Sequence, residues 1–142
     1  MQKFILIRGH QGSGKSTFAE QKAAEFAQQY PDAEIIRIEN DLLLTDENGV
    51  YRWSGEAVDK AQKQGNAMMR NALIAGRANP ARPILIINSN TNQKASRCRR
   101  LRDWAAKHGV HTETYRLHNF FSNQHGVKER DVLAAYVKLN QN

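Results

Sequence analysis

The eight residues Gly9-His10-Gln11-Gly12-Ser13-Gly14-Lys15-Ser16 constrain this chain more than any other stretch. They fit the pattern G-x-x-x-x-G-K-[ST] and follow the apolar run Phe4-Ile5-Leu6-Ile7, which predicts a buried strand over residues 3–8. After them the period changes. Phe18, Ala19, Ala23, Phe26, Ala27 and Tyr30 recur at helical spacing with charged residues between them, which predicts a helix over residues 15–30 ended by Pro31-Asp32. A strand, a glycine turn and a helix in that order aim successive backbone N–H groups at an anion, and the helix start adds its positive dipole end. Gly9, Gln11, Gly12, Ser13, Gly14, Lys15, Ser16 and Thr17 are therefore the expected contacts to nucleotide phosphates. Lys15 is expected at the β- and γ-phosphates and the Ser16 hydroxyl on Mg²⁺, with Thr17 the weaker metal candidate. The bland alternative, a glycine turn with no ligand, is disfavoured by the strand-turn-helix context.

Strand and helix signals alternate along the rest of the chain. Residues 34–38 read as a second strand, and residues 40–54 as a polar excursion around the turn dipeptide Asn48-Gly49. Val58, Ala61, Gly65, Met68 and Ala72 mark a long helix, with Ser54 as N-cap and Glu56 in its first turn. Pro80 and Pro83 precede a third, strongly apolar strand over residues 84–87. A polar Asn/Ser/Thr turn, a basic helix over 94–107, a strand over 112–117 and a helix over 129–139 complete the chain. This alternation predicts a three-layer α/β fold with a mainly parallel sheet of four to five strands.

Size and composition bound the possibilities. A chain of 142 residues is expected to form one domain, residues 1–142. Its 40% apolar and 25% charged residues exclude a disordered chain. No apolar run approaches the length that spans a bilayer, and Met1-Gln2-Lys3 lacks a signal-peptide pattern, so a cytoplasmic protein without a membrane partner is expected. Cys98 is the sole cysteine and reads as a packing residue. The net charge of +7 is lopsided: residues 1–75 carry nine Lys/Arg against ten Asp/Glu, residues 76–142 twelve against four. That excess favours anionic partners without choosing between a nucleotide and a polynucleotide.

Glu39-Asn40-Asp41 lies at the carboxyl end of the second strand, where an open α/β sheet forms its ligand crevice. Asp41 is the candidate general base for an attacking hydroxyl, weighed against a helix or turn cap.

With these residues placed, the sequence resembles the P-loop kinases similar to phage-type 5′-polynucleotide kinase and its ATPase-domain relatives. The resemblance is carried by Ile5 to Thr17 around the loop, Glu39-Asn40-Asp41 with Gly49-Val50-Tyr51, Ile87-Asn88-Ser89-Asn90-Thr91, and Asn123-Gln124-His125-Gly126-Val127 before the last helix. It implies strand three between strands one and two, Asp41 activating the acceptor hydroxyl, a polar turn near the phosphates, and a later loop closing over the nucleotide. This chain departs from the pattern twice. The turn after strand three has Asn88 and Asn90 and no carboxylate, and the closing segment offers His118 and His125 instead of arginines. Metal binding is then expected to fall to Ser16, phosphate oxygens and Asp41, and the histidines to make pH-dependent phosphate contacts.

Arg97, Arg99, Arg100 and Arg102 crowd the basic helix, with Cys98, Leu101 and Ala105 left for an inward stripe. Arg97 is the expected phosphate clamp among them; the others read as a solvated face. Tyr51, Arg52 and Trp53 either stack an acceptor base or cover the end of the long helix, and Met68, Met69 and Trp104 read as core. The leading expectation is an ATP- and Mg²⁺-dependent kinase with Lys15 and Asp41 as catalytic residues. Asn88, Asn90, Arg97 and His125 would assist ATP binding, and the leading acceptor is a polynucleotide 5′-hydroxyl on a single-stranded or nicked strand. A kinase for a nucleoside or other small hydroxyl-bearing substrate, and a nucleotide-binding module or weak ATPase, stay open beside it. No obligate protein partner is evident.

Overall fold

The computed structural model describes residues 1–10, 12–51, 53–119 and 129–141. Its elements run β1 (Gln2–Arg8), α1 (Lys15–Gln29), β2 (Glu34–Ile38), α2 (Asn40–Leu43), α3 (Gly55–Ala78), β3 (Ile84–Asn88), α4 (Ala95–Lys107), β4 (His111–Arg116) and α5 (Glu129–Gln141). The four described strands form one parallel sheet in the order β2-β3-β1-β4. Strand three thus lies between strands one and two, as the resemblance implies.

Period-two alternation in the central strands builds the layers. Phe4, Leu6, Ile84 and Ile86 face α3 and α4, where Met69, Leu73, Cys98, Leu101 and Ala105 close the core. Ile5, Ile7, Leu85 and Ile87 face the other way onto Ala19 and Phe26 of α1. Because both faces are covered, these strands read as unbroken apolar runs. Gly65 lets α3 approach β2 closely, since a Cβ there would lie 2.8 Å from Ile38 Cγ2. Cys98 is buried in packing, as expected, whereas Met68 is only half-buried beside the core that Met69 fills.

The excursion over 40–54 holds more structure than its polarity suggested. It opens with the single turn of α2 and doubles back through a bridge between Thr45 and Tyr51. Asp46 fastens the turn, its Oδ1 accepting from the Asn48 and Val50 amides at 2.9 Å each, while Gly49 takes the left-handed φ of 79°. Ser54 then caps α3, its Oγ accepting from the Ala57 amide at 3.0 Å, as the sequence predicts. No helix among the described residues is long and apolar enough to cross a membrane.

Candidate active site

The loop between β1 and α1 is shaped by glycine. Gly12 and Gly14 have φ values of 80° and 91°, a conformation costly for any residue with a Cβ. A Cβ on Gly9 would lie 2.3 Å from Ser13 Oγ, so the loop can curl this tightly only with glycine there. The Gly9 amide donates to the Thr91 carbonyl at 3.3 Å, docking the loop on the turn after β3. Lys15 is buried and its Nζ donates to the His10 carbonyl at 3.0 Å, across the loop. Burial lowers its pKa, while the nearby charges of Asp41 and Glu39 act in the opposite direction. Ser16 and Thr17 are exposed at the start of α1, and Gln11 and His125 lie outside the described residues.

Glu39 is the residue that sequence reasoning passed over. It is buried at the end of β2, where Oε1 accepts from the Ser16 hydroxyl and Oε2 accepts from Ser89 Oγ at 3.1 Å and Arg37 Nη2 at 2.9 Å. The register explains this: Ile38 pairs with Asn88, which places Glu39 beside Ser89. The turn after strand three carries no carboxylate of its own, and that of Glu39, from the neighbouring strand, lies against it. The carboxylate against Ser16 belongs to Glu39, whereas Asp41 Oδ1 accepts from the Tyr51 hydroxyl at 3.3 Å. Burial and the Asp41 charge raise the Tyr51 pKa and keep the phenol a donor.

Asparagines organise the turn after β3. Asn88 is buried and its Oδ1 accepts from the Asn90 amide at 3.2 Å and Asn92 Nδ2 at 3.1 Å; Asn90 Oδ1 accepts from the Asn40 amide at 2.7 Å. Asn92, in the left-handed region at φ 54°, also donates to the Ile7 carbonyl at 2.7 Å and ties this turn to β1. Its signal in the sequence was only an asparagine among several.

A cleft of about 530 Å³ joins these pieces. Lys15, Glu39, Asp41, Asn90, Lys94 and Arg97 line it, together with Tyr51 and Trp53. Trp53 is 68% exposed, so it rims the cleft instead of covering the end of α3. Arg97, expected on nucleotide phosphates, shares this cleft with Asp41. On the far side of the loop, His10 is buried with its ring edge-on to Tyr136 at 5.2 Å, and the Arg116 guanidinium lies 5.4 Å from the same Tyr136 ring. Burial lowers the His10 pKa, the Asn119 backbone opposes, and the cations Arg116 and Lys15, with the neighbouring His118, lower it further. Arg116 thus brings a guanidinium near the loop from the end of β4, ahead of the segment that begins at His118.

A glycine cradle between strand and helix, a buried lysine reaching across it and a carboxylate on the serine that follows define a P-loop nucleotide-binding domain. A family model described as an AAA domain matches residues 4–119, and the chain belongs to that family of P-loop kinase-like domains. An uncharacterized protein of Pasteurella multocida strain Pm70 is 41% identical over 139 residues, covering 98% of this chain and 77% of that protein. Among solved structures, APS kinase CysC of Mycobacterium tuberculosis aligns with a TM-score of 0.56 at 15% identity, over 99% of this chain and 98% of that one. Kti12 of Chaetomium thermophilum, solved with ADP-AlF3, aligns at 0.59 and 13% identity over 95% of this chain and 79% of its own. A chain of the Pnkp1/Rnl/Hen1 complex aligns at 0.50 and 18% identity, over 94% of this chain and 38% of that one. These likenesses show the shared fold.

Proposed function

We propose that residues 1–142 form one catalytic domain, an ATP- and Mg²⁺-dependent kinase that phosphorylates a hydroxyl, with a polynucleotide 5′-hydroxyl as acceptor. The observation that carries this reading is the common cleft that holds Lys15 of the phosphate loop and the Asp41 carboxylate. ATP would sit with its phosphates in the amide cradle of residues 9–17, against Lys15. Asp41 accepts the acceptor's proton as the hydroxyl oxygen bonds to the γ-phosphorus; the bond from that phosphorus to the β-γ bridging oxygen breaks and ADP leaves. Lys15 stabilises the charge that builds on the transferring group. Tyr51 holds the Asp41 carboxylate in place through its hydroxyl, and Asn90 secures the adjoining backbone at Asn40.

The paired oxygen donors of Ser16 and Glu39 suit a small hard cation, and these two residues would hold Mg²⁺. When bound, that ion offsets negative charge on the phosphates.

The cleft volume also favours a second reading, a small hydroxyl-bearing acceptor, since small-molecule sites run from roughly 300 to 1,000 Å³. Transfer of label from γ-labelled ATP to 5′-hydroxyl oligonucleotides, nucleosides and small hydroxyl compounds separates the two. The kinase reading expects transfer that is lost in Lys15→Ala and Asp41→Asn, with ATP binding kept in the second. Tight ATP binding with no transfer to any acceptor would replace it with a binding module or weak ATPase.

A further inference from the structure

We propose that the acceptor is a single strand of nucleic acid that leaves the cleft through the groove between α3 and α4, with Arg97 as the pivot. This inference rests on the kinase reading and adds the path of the substrate. Arg97 lines both the cleft that holds Asp41 and a second groove of about 240 Å³ formed with Asn66, Arg70, Arg100 and Trp104. One guanidinium therefore connects the reacting hydroxyl's site to a basic surface beyond it.

The way Arg97 is held indicates an external anion. With its amide oxygen facing the guanidinium, as the donor pattern requires, Gln62 accepts from Nη1 at 2.8 Å and Nη2 at 2.9 Å; Asn66 Oδ1 lies 3.5 Å from Nη2. Neutral amides fix the direction of the fork without cancelling its charge. Among the described residues no carboxylate pairs with Arg97, Arg70 or Arg100. A cation that anchors an internal ion pair would have one.

The repeat along the groove favours a polyanion. Gln62, Asn66 and Arg70 are four residues apart on α3 and share one face, as Arg97, Arg100 and Trp104 do on α4. Cations therefore recur along the groove, more than a single phosphate or carboxylate would use. The exposed Trp53 at the cleft offers an aromatic face, which binds bases only when they are unpaired, while Trp104, packed against the core, forms part of the groove wall. A duplex keeps its bases stacked, so the single strand is the form that fits.

Fluorescence anisotropy of 5′-hydroxyl oligonucleotides, a dinucleotide and an octanucleotide, tests the path at several salt concentrations. The octanucleotide is expected to bind at least tenfold tighter, and Arg70→Ala/Arg100→Ala to abolish that preference. The slope of log affinity against log salt should fall by about 1.4 in that variant, from about 0.7 per lost phosphate contact on a single strand. Arg97→Ala should weaken both lengths about tenfold, with partial recovery in Arg97→Lys, and the thermal melt followed by circular dichroism reports that each variant is folded. Equal affinity for the two lengths, or a length preference that survives the double substitution, overturns the path. Labelled transfer to the same oligonucleotides separates the two claims: length-dependent binding without transfer sinks the kinase reading alone, and transfer without length preference sinks the path alone.

Discussion

The two ends of the cleft are built by different means. The phosphate end is one continuous segment whose shape is set by backbone: Gly12 and Gly14 at positive φ, and Gly9 where no Cβ fits. The end proposed for the acceptor is assembled from side chains of α2, the following turn, α3 and α4, with Asp41, Tyr51, Gln62 and Arg97 drawn from separate parts of the chain. Backbone geometry tolerates little variation and serves one kind of ligand, a phosphate chain. Side chains on several elements change independently, so one loop can serve many acceptors. Glu39 joins the two ends, touching Ser16 on one side and Ser89 on the other.

If the ends divide the work in this way, substitutions should separate phosphate binding from transfer. The largest effects are expected at the reacting centre. Lys15→Ala should lower transfer by roughly 10²–10³-fold and weaken ATP binding with it. Asp41→Asn should lower transfer by a comparable roughly 10²–10⁴-fold while ATP affinity, measured by calorimetry, stays put. Full transfer activity in Asp41→Asn would remove it as the base.

Glu39→Gln comes next. It keeps the shape at Ser16 and Ser89 but removes the charge, so the Mg²⁺ concentration for half-maximal transfer should rise about tenfold or more. An unchanged Mg²⁺ requirement would return the metal-side role to Asp41. Trp53→Ala should be milder and confined to the acceptor end. Loss of one stacked base is worth about 1 kcal/mol at the low end, about a fivefold rise in acceptor KM, with ATP KM and melting temperature unaffected because the ring is 68% exposed. Equal changes in both KM values would show that the two ends are not separable.

The smallest effect concerns pH. The folded-state pKa of His10 lies below its ordinary 6.5, so between the two values the unfolded chain binds a proton that the folded chain does not. Its contribution to stability is therefore fully present above pH 6.5 and is lost as pH falls below it. Urea unfolding at pH 7.5 and 5.5 should show this loss, and His10→Gln should flatten it.

Much of the fold was legible because its signals are local. Residues 34–38 form β2 as the pattern predicted, and Ser54 caps α3. The excursion at 40–54 was less legible, since α2 is a single turn, too short to show a period. At the site, the loop could be read from spacing alone because its glycines act through backbone conformation. Glu39 could not be recognised, although it stands two residues from Asp41, because its role depends on β2 lying beside β3.

The sequence by itself determined the parallel α/β plan and the phosphate loop, since periodicity and glycine geometry act over neighbouring residues. It took strand pairing and helix packing to place the Glu39 carboxylate against Ser16 and Ser89 and to hold Arg97 at the cleft on neutral amides. Those relations depend on strand order and helix packing across about 50 and 30 residues of chain, distances at which spacing carries no geometric information.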